Sequence, residues 1–424
     1  MTGGVDSTAG GPTVQSVEGY VVKAPQPYRY SGEGEDGASD DDSGEADEGS
    51  RKPDDDVTFV PGTDYFFEPD WDQVYSLHVE AVLLKVTTED GWHGWGEIQA
   101  PIVPEVPATL VEELLGPMLL GNEALAIDRH RERMYRSMNV RGHYAGFMID
   151  AIAGLDTALW DLAGRVLDTP ASTLLGGRHR ERLPAYVSLP GFEPAELADQ
   201  AEEYVGAGFG GVKAFLGRGV AADVETVATI RDRIGGEPDV LVDGFWSYGV
   251  DEAVRLAERL HEFDVGFLEA PLPPEDVEGH ARVAERAPLP VAVGEPIRTA
   301  TEFRRWFEAG AIDVAQPDIV RTGITEARRI ADLAATHGVP VAPHVGGSLG
   351  IGMAATWHLA AATAEFRVQE HQPTCVAVTN RFLDPELRHE DGDLVVPEGP
   401  GLGVEVDEAA LSEVVSESFR VSLD

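Results

Sequence analysis

The sequence predicts an α/β protein in which a small antiparallel sheet precedes a closed barrel of parallel strands. Strand-like runs at residues 17–23, 75–87 and 92–98 alternate apolar and polar side chains and are separated by turn residues, as is typical of antiparallel strands. From residue 183 to about 370, eight short apolar runs alternate with amphipathic helical stretches. This alternation indicates parallel pairing with right-handed crossovers, and eight strands are enough to close a barrel.

The elements can be located in order. Before the barrel, Met148, Ile152, Leu155, Leu159 and Leu162 recur at spacings of three and four, which predicts a helix with a broad apolar face. The predicted barrel strands are LPAYVSL, GVKAFL, DVLVDGF, VGFLEAP, LPVAVGEP, IDVAQPD, VPVAPHV and FRVQEH.

Residues 31–56 interrupt the predicted antiparallel sheet. They contain 12 acids, two basic residues and no aromatic or large aliphatic side chain. Such a segment buries too little apolar surface to offset its ordering entropy, so we expect a mobile acidic insertion.

The charge balance excludes two classes of partner. The chain has 32 basic and 75 acidic residues, a formal net charge of −43. Binding to nucleic acid or to an anionic membrane gains from a basic face, which this composition does not supply. Only four lysines accompany 28 arginines, and this composition resembles that of cytoplasmic proteins of haloarchaea. An acidic surface for a basic partner is less favoured, because the acids are spread along the whole chain.

The sequence favours a cytoplasmic protein. Cys375 is the only cysteine, so no intramolecular disulfide can form, and the N-terminal residues lack the basic and apolar regions of a signal peptide. Residues 338–364 carry no Asp, Glu, Lys or Arg, but their prolines and glycines favour a buried strand, turn and helix over a membrane span.

Polar residues recur near the end of successive predicted strands, separated by 30, 26, 26, 23, 26 and 26 residues. Barrels of this kind build their active sites at the C-terminal face, so we expect these side chains to converge there. The seven residues are Lys213, Asp243, Glu269, Glu295, Asp318, His344 and Glu370.

Each residue suggests a role. Asp243, Glu269 and Glu295 follow three consecutive strands, and three carboxylates without His or Cys suit Mg²⁺ more than Zn²⁺. His344 and Asp318 lie on adjacent strands, where the carboxylate can orient an imidazole base. The remaining two are Lys213, a rare lysine whose retention suggests a role that Arg would not fill, and Glu370, which we expect to anchor or protonate a substrate oxygen.

The chain resembles the enolase superfamily, in particular its mandelate racemase group. The resembling strings span nearly the whole chain outside the acidic insertion. They are VEAVLLKVTTEDGWHGWGE, DAIAGLDTALWDLAGRVLDTPASTLLGG, QPDIVRTGIT, APHVGGSLGIG and PEGPGLGVEVD.

The resemblance implies a modified TIM barrel of (β/α)7β type with an N-terminal α+β capping domain. We accordingly predict a cap over residues 1–180, the barrel over 181–385 and a C-terminal segment, 386–424, that returns to the cap. It also implies one Mg²⁺ held by the three acids, abstraction of the proton α to a carboxylate, a His344–Asp318 acid/base dyad, and contact between Glu370 and the substrate carboxylate.

Two positions depart from the family pattern. Racemases of this group carry Lys-x-Lys after the second strand, but here Phe215 stands in the second lysine's place and cannot move a proton. Phe245 likewise stands where some sugar-acid dehydratases place a histidine. A single base therefore serves one face of the substrate, and Lys213 is left to bind the substrate carboxylate or enediolate.

These features predict a Mg²⁺-dependent dehydratase of an aldonate or aldarate that yields a 2-keto-3-deoxy acid by syn elimination. A lactone cycloisomerase, an epimerase with an unrecognised second acid, and a catalytically silent relative remain as alternatives. Members of this group commonly form homo-oligomers, which we also expect here.

Substrate specificity in the group comes from cap loops that close over the barrel. The sequence offers residues 24–32 and 59–71 as such loops, and Arg141 and His143 as further substrate contacts. The aromatic candidates for lining the pocket are Tyr65, Phe66, Phe67 and Trp71.

Overall fold

The cap is organised around a four-stranded antiparallel sheet. The computed structural model describes residues 11–25, 57–68, 71 and 73–423, so the predicted acidic insertion and most of the loop at residues 24–32 lie outside the described residues. Within the described part the sheet order is Val415–Ser422, Val14–Pro25, His78–Thr88 and His93–Gln99. The last described strand therefore pairs with the first, across nearly the full length of the chain.

The longest helix of the cap packs along this sheet. The helix Phe147–Val166, predicted from its apolar spacing, is buried along most of its length. Glycines allow its close approach, because a Cβ placed on Gly96 would lie 2.0 Å from the carbonyl oxygen of Gly154. The other cap helices are Glu105–Leu110, Val111–Leu115, Gly116–Leu119, Ile127–Met138 and Ala171–Leu174.

A second, smaller sheet belongs to the cap. Its strands are Thr58–Phe59, Tyr65–Glu68 and Gln73–Ser76, paired antiparallel in that order. It leads directly into the strand His78–Thr88 of the larger sheet. The small sheet is therefore tied to the larger cap sheet by a continuous segment of the chain.

The barrel strands follow the predicted runs with one difference. Among the described residues, strands one to six and eight form a single parallel sheet. They are Ala185–Ser188, Gly211–Phe215, Asp239–Asp243, Val265–Glu269, Val291–Val293, Val314–Ala315 and Gln369–His371. The predicted seventh strand is present only as isolated bridges, which join Val341 to Ala315 and Phe366 and join Asp318 to His344.

Helices alternate with these strands around the outside of the barrel. They are Pro194–Gly206, Val220–Ile234, Val250–Leu260, Val277–Arg286, Ala300–Ala309, Ile319–Thr322, Ile324–Thr336 and Gly350–Ala362. The short helices Pro373–Thr379 and Glu408–Leu411 follow the last barrel strand. The predicted α/β class is confirmed.

The barrel interior is a packed layer of side chains from five of its strands and from the seventh run. These are Tyr186, Leu241, Phe267, Ala292, Val314 and Ala342. All thirteen residues of helix Gly350–Ala362 are buried, in agreement with the buried helix predicted for the uncharged stretch. None of the helices in the described part of the chain is long and apolar enough to span a membrane.

Candidate active site

The seven predicted residues come together at one mouth of the barrel. Five of them, all but Glu269 and Asp318, line a single cavity of about 290 Å³ between barrel and cap, and Asp318 lies behind its partner His344. Glu269 is 2% exposed and lies beside this cavity, hydrogen-bonded to one of its lining residues, Lys213. The convergence follows from the parallel register, in which Asp243 pairs with Glu269 and Ser188 with Lys213.

Lys213 is the centre of this cluster. Its Nζ atom lies 2.8 Å from Glu269 Oε2, 3.0 Å from Glu370 Oε1 and 3.6 Å from Asp243 Oδ2. Burial alone would lower the pKa of Lys213, but the surrounding carboxylates outweigh it and hold the pKa well above its usual value. Lys213 is therefore a fixed positive charge at the base of the cavity.

His344 and Asp318 form a hydrogen-bonded pair. His344 Nδ1 lies 2.7 Å from Asp318 Oδ2, and Asp318 is in turn held by the backbone N–H of Val320. Burial by itself would lower the pKa of His344, but Glu370, the bond to Asp318 and Glu295 raise it to about 9. With Nδ1 occupied, Nε2 is the ring atom left to meet a substrate.

Glu370 is a carboxylate surrounded by donors. It accepts hydrogen bonds from Ser188 Oγ at 2.6 Å, from Val345 N–H at 2.8 Å and from Gln372 Nε2 at 3.2 Å, besides its contact with Lys213. Burial would raise its pKa, but Lys213 and His344 outweigh burial and keep the pKa below the usual value. Of the two predicted roles, anchoring fits this environment, whereas a carboxyl held ionised is a poor proton donor.

The three predicted metal-binding acids lie next to one another without forming a finished cage. Asp243 and Glu269 are in register on adjacent strands, and Glu295 is 3.2 Å from an Nη atom of Arg321. Within the described part of the chain, no group of three or more His, Cys, Asp or Glu side chains is arranged closely enough to hold a metal ion.

The chemistry of these donors nevertheless fits a hard divalent cation. Burial, and then the neighbouring charge of Glu269, raise the pKa of Asp243 well above its usual value. A divalent cation would neutralise the negative charge of these two adjacent buried carboxylates. Oxygen donors without His or Cys suit Mg²⁺. The residues present therefore fit Mg²⁺.

Sequence reasoning missed Arg321, which joins several parts of the site. Its Nε donates to Gln99 Oε1 of the cap and lies 3.8 Å from Asp318 Oδ2, and its other arm reaches Glu295. The available signal was its position three residues after Asp318 in QPDIVRTGIT. Ser188, which holds Glu370, was missed as well, because an isolated serine carries no spacing signal.

The side of the cavity opposite His344 is aromatic. His344 belongs to the seventh barrel run, and Phe245 follows the third strand, which is diametrically opposite in an eight-membered barrel. Phe215 meets Phe245 edge-on with ring centroids 5.7 Å apart, and Trp71 of the cap packs behind Phe245 at 4.2 Å. Phe215 and Phe245 both line the cavity.

The other predicted cap contacts are not at the cavity. Phe66 is 8% exposed and packs among aromatic rings of the small sheet, whereas Phe67 is 36% exposed. Tyr65 acts indirectly, through a hydrogen bond to the cavity residue Glu80. The cap residues that do line the cavity include Gln73, Val74, Tyr75, Ser76, His78 and Glu80.

The prediction that Arg141 and His143 contact substrate is not supported. Both are exposed, and neither lines the cavity. Arg141 ends the 3-10 helix Asn139–Arg141 and His143 follows it, between the cap helices Ile127–Met138 and Phe147–Val166. Their position in the sequence, just before a buried helix, does not by itself bring them to the barrel mouth.

A parallel α/β barrel with charged side chains clustered at its mouth is typical of α/β-barrel enzymes. Residues 75–176 match the mandelate racemase / muconate lactonizing enzyme N-terminal domain, and residues 196–410 match the enolase C-terminal domain-like family. The chain belongs to the enolase superfamily, as its motifs predicted.

Individual relatives have different activities. The chain is 33% identical to D-galactarolactone cycloisomerase of Agrobacterium fabrum, over 78% of this chain and 90% of the relative. It is 32% identical to D-xylonate dehydratase of Haloferax volcanii, over 77% and 83%. A solved structure of an enolase superfamily member from Agrobacterium tumefaciens superposes with a TM-score of 0.86 at 30% identity, covering 97% of this chain and all of that one (100%).

Proposed function

We propose that this protein is a Mg²⁺-dependent dehydratase of an acid sugar, which it converts to a 2-keto-3-deoxy acid. The observation that carries the proposal is the His344–Asp318 pair, at 2.7 Å, facing a cavity whose opposite side is aromatic. One acid/base group on one face suits a syn elimination, in which the same imidazole removes and returns a proton.

Asp243, Glu269 and Glu295 are the residues that would hold Mg²⁺. When bound, the ion neutralises the negative charge that develops on the enediolate oxygens. Members of this superfamily generally use Mg²⁺, which supports the choice of ion. Lys213, fixed between Glu269 and Glu370, supplies a further positive charge for the substrate carboxylate.

His344 accounts for both proton transfers that release water. His344 Nε2 removes the proton on C2, and the electron pair of that bond enters the enediolate. The imidazolium then protonates the C3 hydroxyl as the C3–O bond breaks and the C2–C3 double bond forms, so that one water leaves. The resulting enol gains a proton at C3 and loses its C2 hydroxyl proton to water, which gives the 2-keto-3-deoxy acid with no net change in protons.

Lactone opening by a cycloisomerase is the second candidate. It uses the same proton abstraction, but the leaving atom is the ring oxygen, which stays attached, so the mass does not change. The 33% identity to a D-galactarolactone cycloisomerase supports this second candidate. The aromatic side formed by Phe215 and Phe245 would also pack against the C–H face of a sugar ring.

A substrate screen tests the proposal. Aldonates, aldarates and their lactones are incubated with the enzyme in multimolar KCl with Mg²⁺, and 2-keto acid is measured with semicarbazide. His344→Asn should abolish turnover while sparing metal binding. The control His261→Asn, which changes an exposed histidine, should leave turnover unchanged. Near-wild-type activity in His344→Asn would contradict the assignment of the base. A 2-keto acid with the same mass as its lactone substrate would replace dehydration with lactone opening, whereas an isomer that is not a 2-keto acid would indicate an epimerase.

A further inference from the structure

The cap contributes a second polar group to the cavity, opposite the charged barrel mouth. Glu80 and His78 lie two residues apart on the strand His78–Thr88, and both line the cavity. Neither belongs to the acid/base pair or to the three acids. Their position raises the question of which part of a substrate they meet.

Glu80 is held firmly in place. It is 1% exposed, accepts hydrogen bonds from Ser76 Oγ and, at 3.1 Å, from Tyr65 OH, and lies 3.9 Å from Lys23 Nζ. The Lys23 ammonium is closer to Glu105, at 2.6 Å, and does not line the cavity. The carboxyl group of Glu80 is therefore a fixed acceptor at the cap end.

His78 has an unused ring atom. Its Nδ1 is buried and makes no hydrogen bond to any described residue, and it lies 3.9 Å from Asp64 Oδ2. Its own backbone N–H donates to Ser76 Oγ at 3.0 Å, which fixes the start of the strand. The cap end thus offers a carboxyl acceptor and an imidazole, a pair suited to binding hydroxyl groups.

The positive charges of the cavity are concentrated at the other end. Among the described lining residues, the permanently cationic side chains are Lys213 and Arg321, both already committed to carboxylates at the barrel mouth. A second carboxylate placed at the cap end would face Glu80 without either cation. Like charges brought together in a desolvated site are strongly unfavourable.

We propose that the cavity selects sugar acids with a single carboxylate, whose hydroxylated far end is received by Glu80 and His78. The inference rests on the proposed function, because it assumes that the first carboxylate binds at the barrel mouth. The cavity should therefore accept aldonates in preference to aldarates.

The test compares aldonates with aldarates of matched stereochemistry, which differ only at the terminal carbon. We expect kcat/KM to favour the aldonate by at least about tenfold, a discrimination of about 1.4 kcal/mol. Glu80→Gln, whose amide can donate to a carboxylate, should narrow this ratio roughly fivefold, mainly through KM. Glu105→Gln is the matched control, since Glu105 contacts the same lysine but does not line the cavity, and it should leave the ratio unchanged.

Aldarates that react as well as aldonates would overturn the inference, even if Glu80→Gln failed to fold. An identical ratio in folded Glu80→Gln and Glu105→Gln would overturn the role of Glu80. Calorimetric dissociation constants of both acids for His344→Asn separate this inference from the proposed function. If the wild-type enzyme turns over neither acid, the proposed function fails. Tighter binding of the aldonate than of the aldarate would still support selection of a single carboxylate. Equal or tighter binding of the aldarate would overturn that selection.

Discussion

The Nδ1 atom of His344 lies 2.7 Å from Oδ2 of Asp318, across one of the two isolated backbone bridges that join the sixth and seventh units of the barrel. The bridge places the two residues in register even though the seventh strand does not form a continuous ladder. Orientation of the imidazole therefore depends on Asp318 more than on sheet pairing.

Asp318→Asn tests this dependence. The amide preserves the size of the side chain but removes the charge that stabilises the imidazolium, so we expect kcat to fall by about 10²–10⁴-fold with little change in KM. Steady-state kinetics with the substrate found in the screen provide the measurement. Asp332→Asn, at an exposed aspartate paired with Arg328, is the control. A loss below tenfold would contradict the assigned role of Asp318.

The aromatic side of the cavity predicts exchange without inversion. Phe215 and Phe245 carry no proton donor, and the Lys213 ammonium on the strand of Phe215 is held by Glu269 and Glu370, so we expect a C2 proton lost to His344 to return from the same face. In D₂O we expect deuterium at C2 of recovered substrate with its configuration retained, measured by NMR. Accumulation of the C2 epimer would show that a second acid operates.

Mg²⁺ should stabilise the folded protein through the three acids. Binding to the folded state alone raises the melting temperature as the ion concentration passes its Kd. We expect this rise in the wild type and its loss in Asp243→Asn, followed by differential scanning fluorimetry at constant KCl. Asp251→Asn, at an exposed helix residue, should behave like the wild type. An equal Mg²⁺ effect in Asp243→Asn would place the ion elsewhere.

Glu97 should make stability fall as the pH rises. It is fully buried, at 0% exposed, and accepts hydrogen bonds from the backbone N–H groups of Leu349 and Gly352. Burial raises its pKa from 4.5 to about 8, so between these values the folded state binds a proton that the unfolded state has lost. Stability therefore decreases with pH across this window, by at most about 1.4 kcal/mol per pH unit.

Glu97→Gln should flatten that part of the profile. Unfolding by denaturant at several pH values between 5 and 8, each at the same KCl concentration, would measure the slope. Glu89→Gln, at an exposed position in the turn between the strands His78–Thr88 and His93–Gln99, should keep the wild-type slope. Equal slopes in both variants would mean that other groups dominate the pH dependence.

Salt should stabilise the protein strongly. A net charge of −43 repels itself, and raising the ionic strength shortens the Debye length from about 8 Å at 0.15 M to about 3 Å at 1 M. We expect the melting temperature to rise by roughly 10 °C between 0.15 and 2 M KCl. Thermal unfolding followed by circular dichroism would measure it, and a flat response would contradict the interpretation of the charge as an adaptation to salt.

Much of the site could be predicted from the sequence because a parallel barrel has a strict period. Each strand–helix unit returns the chain to the same mouth, so a spacing of 23 to 30 residues was enough to bring Lys213, Glu295 and His344 to one cavity. The missing second base was also evident, since alternate residues of a strand share a face and Phe215 follows Lys213 by two.

Only the tertiary structure decided how the cap completes the cavity. Gln99 meets Arg321 across 222 positions of the chain, and nothing in the local pattern around either residue specifies that contact. Glu80 and His78 are read from the sequence as ordinary strand residues, and they become cavity residues because the cap sheet packs over the barrel mouth. Local periodicity determines which face a side chain takes, whereas the packing of distant segments determines what that face meets.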